Sequence, residues 1–257
     1  MKNIEKKMLA IVLCATLICM LVPSAGAANA EMAQGGVDES YAAKTNAEIL
    51  EEMLSDPNLT DEAKEKLIEK ENLYQMYLQS PSGRAVGDYI VPVSPIKQQT
   101  NTWCSAATIQ MVLSYMGASY GSQSNIMSEV GAGPGLQTVI NYLNQKQSEN
   151  TYIRKTWNTQ DELNTVCRVA DMVDIPIVFT FIATDQNYND GVWPYPTGGH
   201  FTVLRGYFAS GGYSVADPYY YADYPPYIPH ANGLHNRTYE QLKTVNANYN
   251  GSNFLAY

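Results

Sequence analysis

The stretch from Val86 to Tyr257 reads as one α+β domain in which helices precede an antiparallel sheet, and three patterns carry that reading. After Cys104 the run AATIQMVLSYMG places Ile109, Val112, Leu113 and Met116 at helical spacing until Gly117 stops it. FTVLRGYF alternates like a strand, Ala209-Ser210-Gly211-Gly212 is a turn, and YSVAD is the return strand. Between them, TQDELNTVCRVADMVDIPIVFTF passes from a helical stripe to a continuous apolar run. This stretch is about the size of one ordinary domain.

In chain order the expected helices are Ser105–Met116, Leu136–Gln145 and Gln160–Met172. Strands are expected at Ile175–Ile182, Phe201–Phe208 and Tyr213–Ala216, with a last helix at Thr238–Val245. Thr159 and Glu162 form a capping box for the third helix, and Leu163, Val166, Cys167 and Ala170 line one face of it. Cys167 is therefore expected in the core. Internal repeats are not evident.

Residues 1–30 form a separate unit. A lysine-bearing start, an apolar stretch from Met8 to Val22, and small residues before Ala27 and Ala30 read as a secretory signal peptide. The apolar stretch is short for a membrane span and ends at Pro23, so stable membrane insertion is not expected after cleavage. Ile18 stands before Cys19 where a lipoprotein signal wants a small residue. Residues 31–85 hold 5 Lys/Arg against 12 Asp/Glu, a net of −7, while 86–257 hold 8 against 12. Thr45 with Glu48 caps AEILEEMLSD, and Thr60 precedes DEAKEKLIEKENLYQMYLQS. The apolar faces of this acidic helical segment are too small to fold alone. It is an inhibitory prosegment, cut near Arg84 in SPSGRAVGDY, or a spacer; position and pattern fit both. Neither acidic part offers a phosphate footprint, which excludes nucleic-acid binding of that kind.

Chemistry is concentrated at QQTNTWCSAA. Cys104 stands where a polar loop enters a helix, and unpaired N–H groups at a helix start favour a thiolate. His200, after Gly198-Gly199, opens one strand of the hairpin and Asp217 closes the other, so the carboxylate can orient the imidazole. Together they make a Cys-His-Asp arrangement. His230 and His235 compete with His200, but they lie in the Tyr/Pro-rich ADYPPYIPHANGLHNRTY, where no strand pattern fixes them. The loop DGVWPYPTGGH and the run PYYYADYPPYIPH could wall a cleft or decorate the surface.

These residues resemble the bacteriocin-leader-peptidase-like (double-glycine-peptidase-like) family of bacterial papain-like cysteine peptidases. The likeness lies in KQQTNTWCSAATIQMVL, GGHFTVLRGY and VADPYY, and spans roughly Val91 to the C-terminus. Ser105 departs from it, since a glycine often follows the nucleophile there. The resemblance implies a papain-like fold, with the helix of Cys104 packed on the sheet, and hydrolysis of amide bonds in a protein or peptide. It also implies an oxyanion donor six positions before the cysteine, which is Gln98, with Gln99 adjacent as a substitute. No cofactor or metal is expected, since neither Cys104 nor Cys167 has a Cys or His at ligand spacing.

Cys14 and Cys19 would leave with the signal, so Cys104 and Cys167 are the pair to test for a disulfide. Two other functions fit a secreted or cell-surface bacterial protein of this pattern. One is a peptidoglycan amidase or endopeptidase acting on cell-wall peptide, and the other is a catalytically silent binding module with the same fold.

Overall fold

The structure, a computed structural model, describes residues 44–79, 87–219, 232–248 and 252–257, all of them within one compact unit at 32–257. The expected signal peptide, the linker with Arg84, and His230 lie outside the described residues. Among the described residues no helix is long and apolar enough to cross a membrane.

The chain starts with helices α1 (Asn46–Ser55) and α2 (Asp61–Leu78) and a short strand β1 (Tyr89–Ile90). Three helices follow: α3 (Cys104–Tyr115), α4 (Gln123–Val130) and α5 (Leu136–Lys146). Strand β2 (Arg154–Thr156), helix α6 (Gln160–Met172), strand β3 (Ile177–Ala183) and the short helix α7 (Asp185–Asn189) come next. The hairpin of β4 (Thr197–Tyr207) and β5 (Tyr213–Ala216) leads to β6 (Leu234–Arg237), helix α8 (Tyr239–Ala247) and β7 (Phe254–Ala256). The strands form one antiparallel sheet in the order β2-β7-β3-β4-β5-β6, with β1 pairing on β4. This is the expected α+β architecture, a cysteine-bearing helix packed on an antiparallel sheet.

Alternation along the strands divides the core into two. On β7, Phe254 and Ala256 face the cluster of α3, α4 and α5, while Leu255 and, just past the strand, Tyr257 join α6, α8 and the N-terminal helices. Helix α3 is buried from Cys104 to Leu113, so it is a central rather than an amphipathic surface helix. Gly117, at φ 66°, ends it as expected, and Ala118 N–H donates to Leu113 O at 2.9 Å.

Both capping boxes, Thr45 with Glu48 and Thr159 with Glu162, are formed. Helices α1 and α2 are docked, not loose. Ile49, Leu67 and Tyr74 enter the core shared with α6, and the Asn46 amide bonds both ways with the Thr156 backbone. Lys70, only 2 % exposed, gives its ammonium to Asn150 Oδ1 at 3.0 Å and to the backbone oxygens of Thr151 and Tyr257 at 2.6 Å each. Beside it Lys155 pairs with Glu71 at 2.7 Å. These partners lie at the β2–β7 edge of the sheet.

Two expectations need correction. Strand β4 begins at Thr197, because Thr197 pairs with Ala183 across a register shift, so His200 sits inside the strand and does not open it. His235 does lie on a strand, β6, whose polar sequence LHNR shows no alternation.

Gly206 positions the approach to the site. Its φ is 134°, and a Cβ there would lie 1.8 Å from Tyr89 O, so only glycine lets β1 lie against β4. Val91 N–H then bonds Arg205 O at 2.9 Å and starts the loop toward Gln98.

Candidate active site

Cys104 is the first residue of α3, after Trp103, which caps the helix with no side-chain hydrogen bond. A helix start of this kind presents backbone N–H groups to whatever lies in front of it. Cys104 is buried at 4 % exposure, and its sulfur is among the groups that raise the His200 pKa, so the two side chains lie in each other's electrostatic reach. His200 Nε2 meets Asp217 Oδ1 at 2.9 Å, so Nδ1 is the ring nitrogen left for the sulfur.

The strands explain the His200–Asp217 contact. Val203 pairs with Ala216, which puts Asp217 one step further, on the same face as His200 and diagonal to it. Asp217 is fully buried, and a carboxylate there has to be hydrogen-bonded throughout. Oδ1 accepts from His200 Nε2 and from Tyr219 N–H at 2.8 Å, and Oδ2 accepts from Tyr195 Oη–H at 2.5 Å and from His235 Nε2 at 3.1 Å.

Burial favours the neutral forms of both partners, yet each stays charged. For His200 burial pushes the pKa down, but Asp217 and the Cys104 sulfur outweigh it and raise it to about 9. For Asp217 burial pushes up, and the His200 charge together with the two imidazole hydrogen bonds holds it well below the usual carboxylate range. The cluster favours an imidazolium facing a carboxylate at neutral pH.

Aromatic rings enclose it. Phe181 and Tyr195 stand edge-on to the His200 ring at 5.4 and 5.7 Å, and Trp193 stands edge-on to His235 at 5.1 Å. Trp193 and Tyr195 are at most 1 % exposed, so this part of the loop packs the imidazoles and does not wall a cleft.

Gln98 is buried and Gln99 is exposed. The Gln98 side-chain amide donates to Thr100 O at 2.7 Å, and its backbone N–H donates to Pro218 O at 2.9 Å, beside Asp217. Gln123, at the start of α4, brackets it. Its Nε2 donates to Lys97 O at 2.9 Å and its Oε1 accepts from Gln99 N–H at 2.8 Å, fixing the backbone on both sides of Gln98.

The structure thus brings Cys104, His200 and Asp217 together and places Gln98 on the loop tied to Pro218. Cys104 and Cys167 are both free thiols in different core clusters, so they form no disulfide. Burial drives the Cys167 thiol far up, as an inert core residue requires. Sequence reading weighs His235 only as a rival base and gives Tyr195 no place beside Asp217. Asn232-Gly233 immediately before LHNR is a hairpin-turn signal that could have placed His235 on a strand.

A model described as the Peptidase_C39 like family matches residues 90–247. The chain belongs to that family and is a cysteine-type peptidase. No curated protein matches it. Among matching solved structures, a double glycine motif protease from an AMS/PCAT transporter, solved with its leader peptide, is 15% identical at a TM-score of 0.40 over 67% of this chain and 96% of that one. A Bacillus anthracis protein described as a C39-like peptidase is 15% identical at 0.45, over 67% and 98%.

Proposed function

We propose that this protein is an exported peptidase that hydrolyses peptide bonds with Cys104 as nucleophile, His200 as acid and base, and Asp217 as the orienting carboxylate. The observation that carries the reading is the buried His200 ring held between Asp217 and a cysteine at a helix start. His200 takes the Cys104 proton, and the thiolate attacks the amide carbon as the carbonyl π electrons move to oxygen. The backbone N–H of Cys104 and the side-chain amide of Gln98 hold that oxyanion, and losing one such donor typically costs about 3 kcal/mol. As the C–N bond breaks, His200 protonates the leaving amine. Water, deprotonated by His200, then releases the acid and regenerates the thiol.

Burial of Gln98 supports it over exposed Gln99 as the donor. Export rests on the lysine-bearing start and the apolar stretch Met8–Val22. Cleavage after Ala27 or Ala30, leaving a mature chain that starts at Ala28 or Glu31, is the expected outcome of N-terminal sequencing.

Alkylation of Cys104 tests the pair. Wild type should react quickly with iodoacetamide at pH 6, whereas His200→Ala should react only near the ordinary thiol value of about 8.5. Superimposable profiles for the two would remove the pair.

A further inference from the structure

We propose that His235 is a positioning residue for this reaction, holding Asp217 so that one of its oxygens addresses His200. The proposal rests on the triad assignment above and adds a residue to it.

Its first support is register. Val215 pairs with His235 and Ala216 with Leu234, so Asp217, whose N–H donates to Gly233 O at 2.8 Å, has His235 diagonal to it across β6. His200 stands diagonal on the other side, across β4. Three neighbouring strands therefore project a histidine, an aspartate and a histidine onto one face, with the carboxylate in the middle.

The second support is how the carboxylate is filled. Oδ1 serves His200 and the Tyr219 N–H, while Oδ2 serves Tyr195 and His235. A carboxylate held ionised is an acceptor only, so the contacting nitrogen of each imidazole carries a hydrogen, whether the ring is neutral or an imidazolium; this is assigned from the network. In His200 that leaves Nδ1 toward the sulfur. In His235 the ring is walled by Trp193, and its side chain is fully buried.

The two rings thus do different work from equivalent places. Without a donor from β6, Oδ2 keeps Tyr195 alone, and the carboxylate can turn about its Cβ–Cγ bond and exchange its oxygens. His200 then loses a fixed acceptor, and small misplacement of a reacting group is costly in rate. His235 acts on the reaction only through Asp217.

The experiment compares His235→Leu, which removes the donor, with His235→Gln, which can return an N–H near the Nε2 position. Each is measured by thermal melt, by kcat and KM on casein-derived peptides, and by the rate of Cys104 alkylation at pH 6. Expected is a fall in kcat of ~10²-fold for His235→Leu with KM changed less than about twofold, slower alkylation, and substantial recovery in His235→Gln. Should His235→Leu not fold, His235→Phe, which keeps a planar ring against Trp193 but has no donor for Asp217, takes its place, and the same kcat loss with KM nearly unchanged is expected. A folded His235→Leu with wild-type kcat and alkylation overturns the proposal, as does a folded His235→Gln no better than His235→Leu. If His235→Leu does not fold, a folded His235→Phe with wild-type kcat and alkylation overturns it. Failure of the triad reading itself looks different, because Cys104→Ala would then retain turnover and the wild-type thiol would not react at pH 6.

Discussion

At one edge of the sheet a buried cation is surrounded by oxygen, and toward the other a buried carboxylate is surrounded by donors. Burial pushes the Lys70 pKa well down, but the three oxygens of Asn150, Thr151 and Tyr257 around Nζ near β2 and β7 favour the ammonium, and Asp217 takes four donors from His200, His235, Tyr195 and Tyr219. The physical requirement is the same, since an ion leaves water only when every polar contact is replaced. What differs is the neighbour. Around Lys70 every contact closes on the fold itself, whereas one partner of Asp217 is a histidine whose other side meets Cys104. Burial of charge alone therefore does not mark a reactive centre; a partner with a second, outward-facing bond does.

Breaking the reactive end should have the largest effect on turnover. Cys104→Ala is expected to lower hydrolysis of peptide substrates by at least ~10³-fold with the melting temperature nearly unchanged, and retained turnover would sink the assignment. At the structural end, Lys70→Met leaves three acceptors without their cation. It should cost about 3 kcal/mol in urea unfolding while kcat/KM below the transition stays within about twofold. Removing residues 31–85 should likewise lower the melting temperature, because Ile49, Leu67 and Tyr74 are core residues. Faster turnover by a chain starting at Val86, with inhibition on adding the segment back, would decide for the inhibitory prosegment, and equal turnover for the spacer.

Acidity sharpens the comparison. His200 is raised from 6.5 to about 9, so the stability it contributes is whole below about pH 6.5 and is lost as pH rises through about 9. Asp217 is depressed, so its share is present above the ordinary carboxylate range and is lost as pH falls through its lowered value. Melts between pH 6.5 and 9.5 should therefore drop further for wild type than for His200→Gln, and parallel curves would contradict the coupling. The smallest effect belongs to Cys167→Ala, expected to cost about 1 kcal/mol with kcat preserved.

Local signals were legible in the sequence. Thr159 with Glu162 needs only four residues to announce a helix, and Gln160–Met172 begins and ends as expected. The Gly117 stop and the hairpin between β4 and β5 are equally local, and these elements carry Cys104, His200 and Asp217. Hidden were the features made by distant partners. β2, β6 and β7 are three or four residues long, too short to display a period, and β2 and β6 are polar at that. Helix α4 is a short QSNIMSEV whose Ser122 cap was overlooked. Nothing in EKENLY announces that Lys70 is buried, because its acceptors come from residues 150, 151 and 257. The place of His235 is hidden for the same reason: LHNR shows no period of its own, while its partner is Asp217 across the neighbouring strand.

The Lys70 contact also sets an order of events in folding. Its bond to Tyr257 spans 187 positions of sequence, and long separations make contacts late and slow to form. As the chain is synthesised, helices α1 and α2 emerge first with their caps already satisfied, yet the oxygens that receive Lys70 are not all present until residue 257 has followed. Until then the ammonium lacks its Tyr257 partner, and α2 is held only by what α6 and residues 150–151 already provide. The earliest part of this domain to be made is thus among the last to be locked, and chains halted before β7 should be digested preferentially in α2.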